Sequence, residues 1–270
     1  MGEPEMRLDA ALAERHLARS RTHAARLIAD GLVTVDGHPV IKPSMRVAAD
    51  SDVAVARLDH YVSRAAHKLI AALDAFPVVV DGCRALDVGA STGGFTQVLL
   101  ERRASEVIAL DVGHAQLSPS IRSDRRVRVV EGLNARYLDA RQLAAATGVV
   151  NGAIDVVVAD LSFISLTMVL PALAATVGGS AEFVVLVKPQ FEVGKSGIKE
   201  GIVRRPGLRA DAVNGVVWAA FDLGLSMAGI IPSPILGTGG NHEYLLWLST
   251  THGSDPSEWT SDVLRLTGAA

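Results

Sequence analysis

The stretch Asp87-Val-Gly-Ala-Ser-Thr-Gly-Gly-Phe95 follows the short apolar run Ala85-Leu86 and leads into a helix-like segment, Phe95 to Leu100. An apolar strand, a Gly-rich turn and a helix in this order are typical of the first βα unit of a doubly wound sheet. In such sheets, ligands bind beyond the carboxyl ends of the parallel strands. The stretch therefore predicts an α/β fold with a ligand site next to this turn.

Strand signals recur on both sides of the turn. Strand-like apolar segments lie near 84–88, 106–110, 127–131, 154–159, 182–187, 225–231 and 243–249. Helical segments separate the first five, whereas the last two have no room for a helix between them and are expected to form an antiparallel pair. This order predicts a class I (Rossmann-like) methyltransferase domain, with a doubly wound, mostly parallel seven-stranded sheet.

The spacing of the glycines selects the class of cofactor. Gly89, Gly93 and Gly94 give the pattern G-x-x-x-G-G, which lacks the second glycine of the dinucleotide fingerprint G-x-G-x-x-G. A nicotinamide-dependent dehydrogenase is therefore disfavoured. S-adenosylmethionine has no phosphate, so its loop needs only a tight turn, poor in Cβ atoms, that lets the backbone pass the methionine moiety.

Further cofactor contacts are predicted along the same edge of the sheet. Asp87 is expected to face the cofactor amino group, directly or through water, and Asn134 to frame the adenine. Asp111, at the end of the second strand, has acceptors for a ribose diol, although a helix cap is the alternative for this residue. The predicted cofactor-binding residues are Asp87, Gly89, Ala90, Ser91, Thr92, Gly93, Gly94, Phe95, Asp111, Asn134 and Asp160.

Four ionisable residues are predicted to converge on one cleft: Lys68, Asp160, Lys188 and Glu243. Asp160 and Lys188 each follow an apolar strand, Glu243 opens the last strand, and Lys68 lies on a helix that Ser63 can cap. Taken singly, Lys68 reads as a surface helix lysine, Glu243 as a strand-edge charge and Asp160 as a helix cap. Their joint occurrence beside a cofactor loop predicts catalysis.

The residues after the fourth strand narrow the methyl acceptor. Amino-group methyltransferases place an Asn or Asp, two prolines and an aromatic residue there, whereas this chain has Asp160-Leu-Ser-Phe163. A cytosine C5 enzyme needs a cysteine nucleophile, and the lone Cys83 lies at the start of a core strand. A ribose 2′-hydroxyl must lose its proton as methyl transfer proceeds, so a lysine whose proton affinity is lowered by a second ammonium is a suitable base. Lys188 is the candidate.

Composition adds mainly exclusions. A single cysteine excludes an internal disulfide and a cysteine-based metal cluster, and no metal site is predicted. No segment approaches the roughly 18 apolar residues of a membrane helix, and the N-terminus is acidic where a signal peptide needs a basic start. A cytoplasmic protein is therefore expected, of undetermined oligomeric state. The net charge of −3 means that a nucleic-acid partner requires a local basic patch.

The chain is predicted to divide into an N-terminal module at 1–57, a short linker at 58–61 and the methyltransferase domain at 62–270. The module shows helical spacing over residues 7–16 and 21–30, followed by a hairpin around the turn pair Asp36-Gly37. Two helices and a small sheet are the expected outcome.

Basic residues cluster in this module. Arginines and histidines occur from position 15 to position 26 without a single acid. This pattern is typical of either a solvated helix face or a phosphate-binding face. The segments Leu17-Ala-Arg-Ser-Arg21, Gly31-Leu-Val-Thr-Val-Asp-Gly37 and Lys42-Pro-Ser44 resemble the S4 RNA-binding fold, which favours the second interpretation. The predicted RNA-binding residues are Arg7, Arg15, Arg19, Arg21, Arg26 and Lys42.

Motifs along the whole chain resemble those of the TlyA family. They are Ser63-Arg-Ala-Ala-His-Lys68, Leu86 to Thr96, Ala159-Asp-Leu-Ser-Phe-Ile-Ser165, Leu186-Val-Lys-Pro-Gln-Phe-Glu-Val-Gly194 and Asn241-His-Glu-Tyr244. The resemblance implies an S4 domain joined to an FtsJ-like (RrmJ-type) domain that 2′-O-methylates cytidines of 16S and 23S ribosomal RNA. It implies a Lys-Asp-Lys-Glu tetrad, whose positions match Lys68, Asp160, Lys188 and Glu243. It further implies ribosomal subunits as partners and a role in the response to capreomycin and viomycin.

Two other classes of function stay open at this point. A non-catalytic S4-type ribosome-binding protein with a vestigial cofactor domain would bind the cofactor without turnover. A pore-forming haemolysin, a label used within the family, would need a membrane-length apolar segment or an amphipathic hairpin, and neither is found in the sequence.

Overall fold

The computed structural model describes residues 5–18, 20–29, 31–55, 60–148, 153–194 and 197–270. The chain forms two compact units. The first comprises the residues up to His60 together with Ile235–Gly240, and the second comprises Tyr61–Pro234 and Asn241–Ala270. The linker predicted at 58–61 begins outside the described residues, so the domain boundaries taken from the sequence stay a prediction.

The first unit combines two helices with short strands. Its elements are β1 (Met6–Arg7), α1 (Leu8–Glu14), α2 (Arg21–Ala29), β2 (Val33–Val35), β3 (His38–Val40), β4 (Arg46–Val47) and β5 (Val53–Val55). Strands β3, β2 and β5 form one antiparallel sheet, and β1 pairs with β4. The predicted hairpin is confirmed: Asp36 and Gly37 have φ of 51° and 78°, which is the pair of positive values that a type I′ turn requires.

Helical spacing explains how this unit builds a core. Leu8, Ala11 and Leu12 lie on one face of α1 and are fully buried, and they pack with Ile28 of α2 and Val33 of β2. The hydroxyl of Ser20 accepts a hydrogen bond from the backbone N–H of His23 at 3.1 Å, so Ser20 caps the start of α2 as predicted.

The second unit is a layered α/β structure. Its elements are α3 (Ala66–Ala75), β6 (Arg84–Val88), α4 (Gly94–Glu101), β7 (Glu106–Asp111), α5 (Pro119–Arg122), β8 (Val127–Glu131), α6 (Ala140–Thr147), β9 (Val156–Ala159), α7 (Leu170–Val177), β10 (Glu182–Val187), α8 (Pro189–Glu192), α9 (Pro206–Phe221), β11 (Ser226–Pro232), β12 (Tyr244–Ser249) and α10 (Thr260–Thr267). The sheet has seven strands in the order β11-β12-β10-β9-β6-β7-β8. All neighbours are parallel except those that involve β12, so the predicted fold is confirmed.

Both faces of this sheet are covered, which explains the continuous apolar runs of its strands. Along β10, Phe183, Val185 and Val187 belong to one buried layer, whereas Val184 and Leu186 belong to the other. Successive side chains of a strand point to opposite faces, so a single strand contributes to two cores. Full burial of each large apolar side chain stabilises the fold by roughly 1.5–3 kcal/mol.

The register of the strands brings the sequence motifs to one edge of the sheet. Val88 pairs with Ala159, and Ala159 pairs with Val185, so β6, β9 and β10 end close together. Val187 pairs with Tyr244 in the antiparallel partner β12. The amino end of β12 therefore lies beside the carboxyl end of β10.

The start of the helix that carries Lys68 differs from the prediction. Helix α3 begins at Ala66, and the side chain at its cap position makes no capping hydrogen bond. The Ser63 hydroxyl instead accepts from the backbone N–H of Ala65 at 3.1 Å, within the preceding turn. Ser63 shapes the approach to the helix rather than its first turn.

Candidate active site

Four chain segments supply the charged side chains at the carboxyl edge of the sheet. Asp160 and Lys188 directly follow β9 and β10, and Glu243 directly precedes β12. The antiparallel pairing of β10 with β12 is what brings Glu243 to the edge where Lys188 emerges. Lys68 reaches the same place from the third residue of α3.

The four side chains form a row in which positive and negative groups alternate. Lys68 Nζ lies 2.5 Å from Glu243 Oε2 and 3.9 Å from Asp160 Oδ2. Lys188 Nζ lies 2.6 Å from Asp160 Oδ1. Asp160 thus sits between the two ammonium groups. The row combines two basic with two acidic side chains, and opposite charges in contact make the burial of ionised groups tolerable.

Access to the cavity separates the two halves of the row. Lys68 and Glu243 are 5% and 4% exposed, so neither is the surface charge that its position alone suggests. Among the described residues, Lys188 and Asp160 line a cavity, whereas Lys68 and Glu243 are absent from its lining. The pair formed by Lys68 and Glu243 therefore lies behind Asp160, whereas Lys188 lies on the cavity wall.

The cavity runs along the Gly-rich turn in two adjoining parts. The larger has a volume of about 500 Å³ and is lined by Asp111, Asn134 and Phe163 among others. This volume lies within the range of roughly 300–1,000 Å³ typical of small-molecule sites. The smaller part, of about 170 Å³, contains Lys188. Residues lining both parts are Gly89, Ser91, Asp160 and Ser162.

Two glycines of the turn are required by space and conformation. Gly89 has φ of 83°, and a Cβ atom there would lie 2.8 Å from the carbonyl oxygen of Asp160. A Cβ atom on Gly94 would lie 2.8 Å from Ser63 Cβ. Gly89 thus lets the turn approach the loop after β9, and Gly94 lets α4 approach the segment that leads into α3. Both contacts fix the geometry around the row of charges.

Asp87 is buried behind the turn and does not line either part of the cavity within the described residues. The Thr96 hydroxyl donates to its Oδ2 at 2.6 Å. Its Oδ1 has no partner in the described part of the chain. Burial raises the pKa of this carboxyl to about 7. An unpaired buried acceptor of this kind is costly.

Asp111 and Asn134 are both held by backbone groups. Asp111 accepts from Ser91 N at 2.8 Å and from Gly113 N at 2.7 Å. Its position is not that of a helix cap, because α5 begins only at Pro119. Asn134 accepts from Arg136 N at 3.0 Å. Both side chains line the larger part of the cavity, where a cofactor could reach them. Their roles toward ribose and adenine stay predictions.

Sequence reasoning gave no role to Ser162 or Glu192. Lys188 Nζ donates to Ser162 Oγ at 2.9 Å, and Glu192 bonds to the loop that carries Asp160. Both residues lie inside motifs that carry the family resemblance, Ser162 in Ala159–Ser165 and Glu192 in Leu186–Gly194. Ser162 closely follows Asp160 and Glu192 closely follows Lys188 in the sequence. Since β9 and β10 pair in parallel, the segments after them lie side by side, and this is the signal that could have identified both residues.

The predicted RNA-binding residues occupy different environments. Arg7 pairs with Asp9 at 2.8 Å. The guanidinium of Arg15 donates to the carbonyl oxygens of Ala48, Ala49 and Ser51 at 2.7–3.0 Å and so supports the fold of its own unit. Arg21 lies 3.4 Å from Asp9, with a side chain that is 61% exposed, and Lys42 is exposed. Arg19 and the side chain of Arg26 lie outside the described residues.

Comparison with protein families agrees with this architecture. The model of the FtsJ-like methyltransferases matches residues 61–250, and that of the S4 domain matches residues 6–53. The protein is therefore a methyltransferase of the FtsJ-like class with an N-terminal S4 domain. It belongs to the TlyA family, as the motifs predicted.

Three relatives illustrate the similarity. The chain is 49% identical to the 16S/23S rRNA (cytidine-2'-O)-methyltransferase TlyA of Mycobacterium tuberculosis, with 90% of each chain covered. It is 37% identical to Hemolysin A of Brachyspira hyodysenteriae over 89% of this chain and 98% of the relative. A solved structure described as "Putative hemolysin from Streptococcus thermophilus" superposes with a TM-score of 0.74 at 34% identity and covers 99% and 97% of the two chains.

Proposed function

We propose that this protein transfers a methyl group from S-adenosylmethionine to the 2′-hydroxyl of a cytidine in ribosomal RNA. The observation that carries the proposal is the position of Lys188 Nζ on the cavity wall, held by Asp160 at 2.6 Å and by Ser162 at 2.9 Å. The name of the relative from Mycobacterium tuberculosis gives the same substrate class.

The cavity supports S-adenosylmethionine as the cofactor. Asp111 and Asn134 would hold its ribose and adenine in the larger part, and the unpaired Oδ1 of Asp87 would attract its amino group. When bound, the cofactor supplies an electrophilic methyl group. Gly89 keeps the backbone close to the loop after β9, so the residues that hold the donor and those that act on the acceptor share one wall.

Lys188 acts on the proton of the acceptor hydroxyl. Its side-chain nitrogen, as the neutral amine, takes the proton that the 2′-oxygen loses as the new bond forms. Asp160 stabilises the resulting ammonium from 2.6 Å. Lys68 lies 3.9 Å from the other oxygen of Asp160, so Asp160 faces both lysines. Glu243 neutralises Lys68 and keeps it in place.

The S4 domain is proposed to dock the RNA through its exposed basic residues. Replacing Arg19 and Arg21 together by Glu removes two phosphate partners, so affinity for ribosomal subunits should fall and the slope of log affinity against log salt should decrease by about 2. Filter binding across a salt series measures both quantities. Arg265→Glu, a change at an arginine that is 65% exposed on α10, serves as the control. Wild-type affinity and slope in the double variant would contradict RNA docking by these residues.

The substrate is tested directly by methyl transfer to separated ribosomal subunits, followed by mapping of 2′-O-methyl groups as stops in primer extension. We expect label in one or both subunits at a cytidine. Cofactor binding without turnover on either subunit would favour the non-catalytic ribosome-binding alternative. Label on a base rather than a ribose would overturn the assignment of the acceptor.

Because the proposed substrate is ribosomal RNA, we propose that the protein acts in the cytoplasm and affects the response to drugs that act on the ribosome. Cells that lack the methylation should differ from wild type in their response to capreomycin and viomycin, which growth inhibition tests measure. The rival function, pore formation, is suggested by the printed names of two relatives. Within the described residues, no helix is both long and apolar enough to cross a membrane. Lysis of erythrocytes by the purified protein would support the rival.

A further inference from the structure

The two segments that carry Asp160 and Lys188 are joined at a second point, away from the cavity. We call residues 160–165, after β9, the acid loop, and residues 188–192, after β10, the lysine turn. Glu192 ends the lysine turn, and its carboxylate reaches across to the end of the acid loop. The Ser165 hydroxyl donates to Oε2 at 2.5 Å, and the backbone N–H of Leu166 donates to Oε1 at 2.9 Å.

These bonds fix the end of the acid loop. Leu166 begins a short 3-10 helix, and the Ser165 hydroxyl accepts from Thr167 N at 3.1 Å. Glu192 thus pairs with one backbone N–H of this turn, that of Leu166, and orients the serine whose hydroxyl pairs with another, that of Thr167. Both oxygens of one carboxylate are used for a single purpose, which is to hold the start of the turn against the lysine turn.

The environment of Glu192 indicates a geometric role rather than an electrostatic one. Its carboxyl group is largely buried, and burial raises its pKa above the ordinary value. In the described part of the chain, no cation pairs with it, and its carboxylate accepts from the neutral hydroxyl and amide already named. A buried carboxylate held only by neutral donors contributes little net stability, so its effect lies in the arrangement that its two bonds impose.

The contacts join the acid loop and the lysine turn at two separate places. Lys188 contacts Asp160 and Ser162 at one place, and Glu192 contacts Ser165 and Leu166 at the other. Between them, the rings of Phe163 and Phe191 lie 5.3 Å apart. Phe163 has φ of 65°, which is uncommon for a residue with a side chain. A loop in this conformation persists only when its surroundings hold it at both ends.

We propose that Glu192 is a positioning residue for methyl transfer, which fastens the acid loop to the lysine turn so that Asp160 and Ser162 stay in contact with Lys188. Glu192 touches neither part of the cavity among the described lining residues, so it acts through the loop. The inference rests on the proposed function, because it assigns Glu192 to the same reaction.

The test compares Glu192→Ala with Glu192→Gln in the full-length protein. A misplacement of about 1 Å can cost about 100-fold in rate, so we expect kcat on ribosomal subunits to fall between about tenfold and 100-fold in Glu192→Ala. Glu192→Gln keeps an acceptor for Leu166 N and should recover part of that loss. The KM for S-adenosylmethionine and the affinity for S-adenosylhomocysteine should change less than kcat does, because Asp111 and Asn134, which would hold the ribose and the adenine, lie outside the acid loop.

Ser165→Ala tests whether Glu192 and Ser165 act together as one clamp between the lysine turn and the acid loop. Combined with Glu192→Ala it should lower kcat no further than Glu192→Ala alone, since residues of one network are not additive. Glu182→Gln is the matched control, because Glu182 accepts from Trp247 Nε1 at 2.5 Å and from the Ser249 hydroxyl at 2.9 Å at the opposite edge of the sheet. This variant should keep the wild-type kcat.

Hydrogen exchange at the Leu166 amide gives a readout that does not need activity. Faster exchange in Glu192→Ala, with an unchanged melting temperature, supports the clamp even where the wild type methylates no subunit and the proposed function itself fails. The inference is overturned by wild-type kcat in Glu192→Ala, by an equal loss of kcat and cofactor affinity, or by unchanged exchange at Leu166.

Discussion

The two edges of the seven-stranded sheet carry similar charged residues and treat them differently. At the amino edge, Glu106 lies 2.6 Å from Arg84 and 2.9 Å from Arg128. Burial acts to raise the pKa of Glu106, but the two arginines outweigh it and hold the pKa below its usual value. At the carboxyl edge, Asp87 has no such partner, and burial raises its pKa to about 7.

The difference shows that a network of ion pairs does not by itself identify a site. Each edge pairs its strand-end charges, so ion pairing alone does not separate the two edges. Within the described residues, the carboxyl edge combines its charges with a cavity of about 500 Å³ and with a turn in which Gly89, lacking a Cβ atom, lies against the loop after β9. Chemistry is expected where charge, space and an unpaired buried acceptor coincide.

The largest expected effect follows from Lys188→Ala. Removal of the base should lower kcat for methyl transfer by about 10²–10⁴-fold, while the affinity for S-adenosylhomocysteine stays near wild type. Arg128→Ala removes a cation of the amino edge that is 52% exposed and should leave kcat unchanged. Single-turnover methyl transfer and calorimetry measure the two quantities. Equal rates in Lys188→Ala and Arg128→Ala would remove the distinction between the edges.

Breaking the buried pair should reveal the next largest effect. Lys68→Ala leaves Glu243, which is 4% exposed, without its partner at 2.5 Å. Loss of one member of a buried pair costs about 3–5 kcal/mol of unfolding free energy, and methyl transfer should fall with it.

Lys68→Met combined with Glu243→Gln separates the two consequences. With both charges removed, the free energy of unfolding should return toward wild type while methyl transfer stays low, because Asp160 then lacks its second ammonium. Denaturant unfolding and the subunit assay are the measurements. Recovery of activity together with stability would show that Lys68 and Glu243 are structural, like the pairs of the amino edge.

Much of this arrangement was accessible from the sequence because it depends on strand ends. The apolar runs before Asp160 and Lys188 predicted two parallel strands, and parallel strands place their carboxyl ends together. Glu243 reaches this edge because β12 also runs antiparallel to β10, a pairing that the predicted antiparallel pair of final strands did not specify. Lys68 came from motif resemblance, since a helical lysine carries no sign of burial.

Contacts between loops were not accessible in the same way. The bonds of Glu192 to Ser165 and Leu166 depend on how the short helix α8 lies against the acid loop. Hydrophobic periodicity in the sequence does not predict such a contact. Strands β1 and β4 were missed because two residues show no alternation. The arginine run was read as one basic face, yet Arg15 binds backbone carbonyls of its own unit, which charge alone does not predict.

A smaller effect is expected from Asp111→Ala, which tests the cofactor side of the carboxyl edge. Hydrogen bonds to a charged acceptor contribute roughly 1.5–3 kcal/mol, so affinity for S-adenosylhomocysteine should fall by about ten- to 100-fold. Calorimetry measures this change. Part of the loss reflects the bonds from Ser91 and Gly113 that hold the turn, and Asp111→Asn, which keeps an acceptor, is the control. Unaltered affinity in Asp111→Ala would limit this residue to shaping the turn.

The smallest effect concerns the titration of Asp87, the acid that distinguishes the two edges. Burial raises its pKa in the folded protein to about 7, well above its ordinary value of 3.8. The carboxyl is therefore mostly protonated below pH 7 and mostly ionised above it. Since the cofactor amino group is cationic, affinity for S-adenosylhomocysteine should rise with pH through this range. A site with this pKa that binds only when ionised gains at most about tenfold between pH 6 and pH 8.

Asp87→Asn provides the comparison, because the amide keeps the size of the side chain and does not titrate. Calorimetry at pH 6, 7 and 8 should show rising affinity in the wild type and nearly constant affinity in Asp87→Asn. Stability should change in the opposite sense. The folded state holds the Asp87 proton between about pH 4 and pH 7 while the unfolded state has lost it, so this residue lowers stability as pH rises through that window. A wild-type affinity that does not depend on pH would mean that the unpaired oxygen of Asp87 faces no cation of the cofactor, and that the carboxyl edge resembles the amino edge more closely than its cavity suggests.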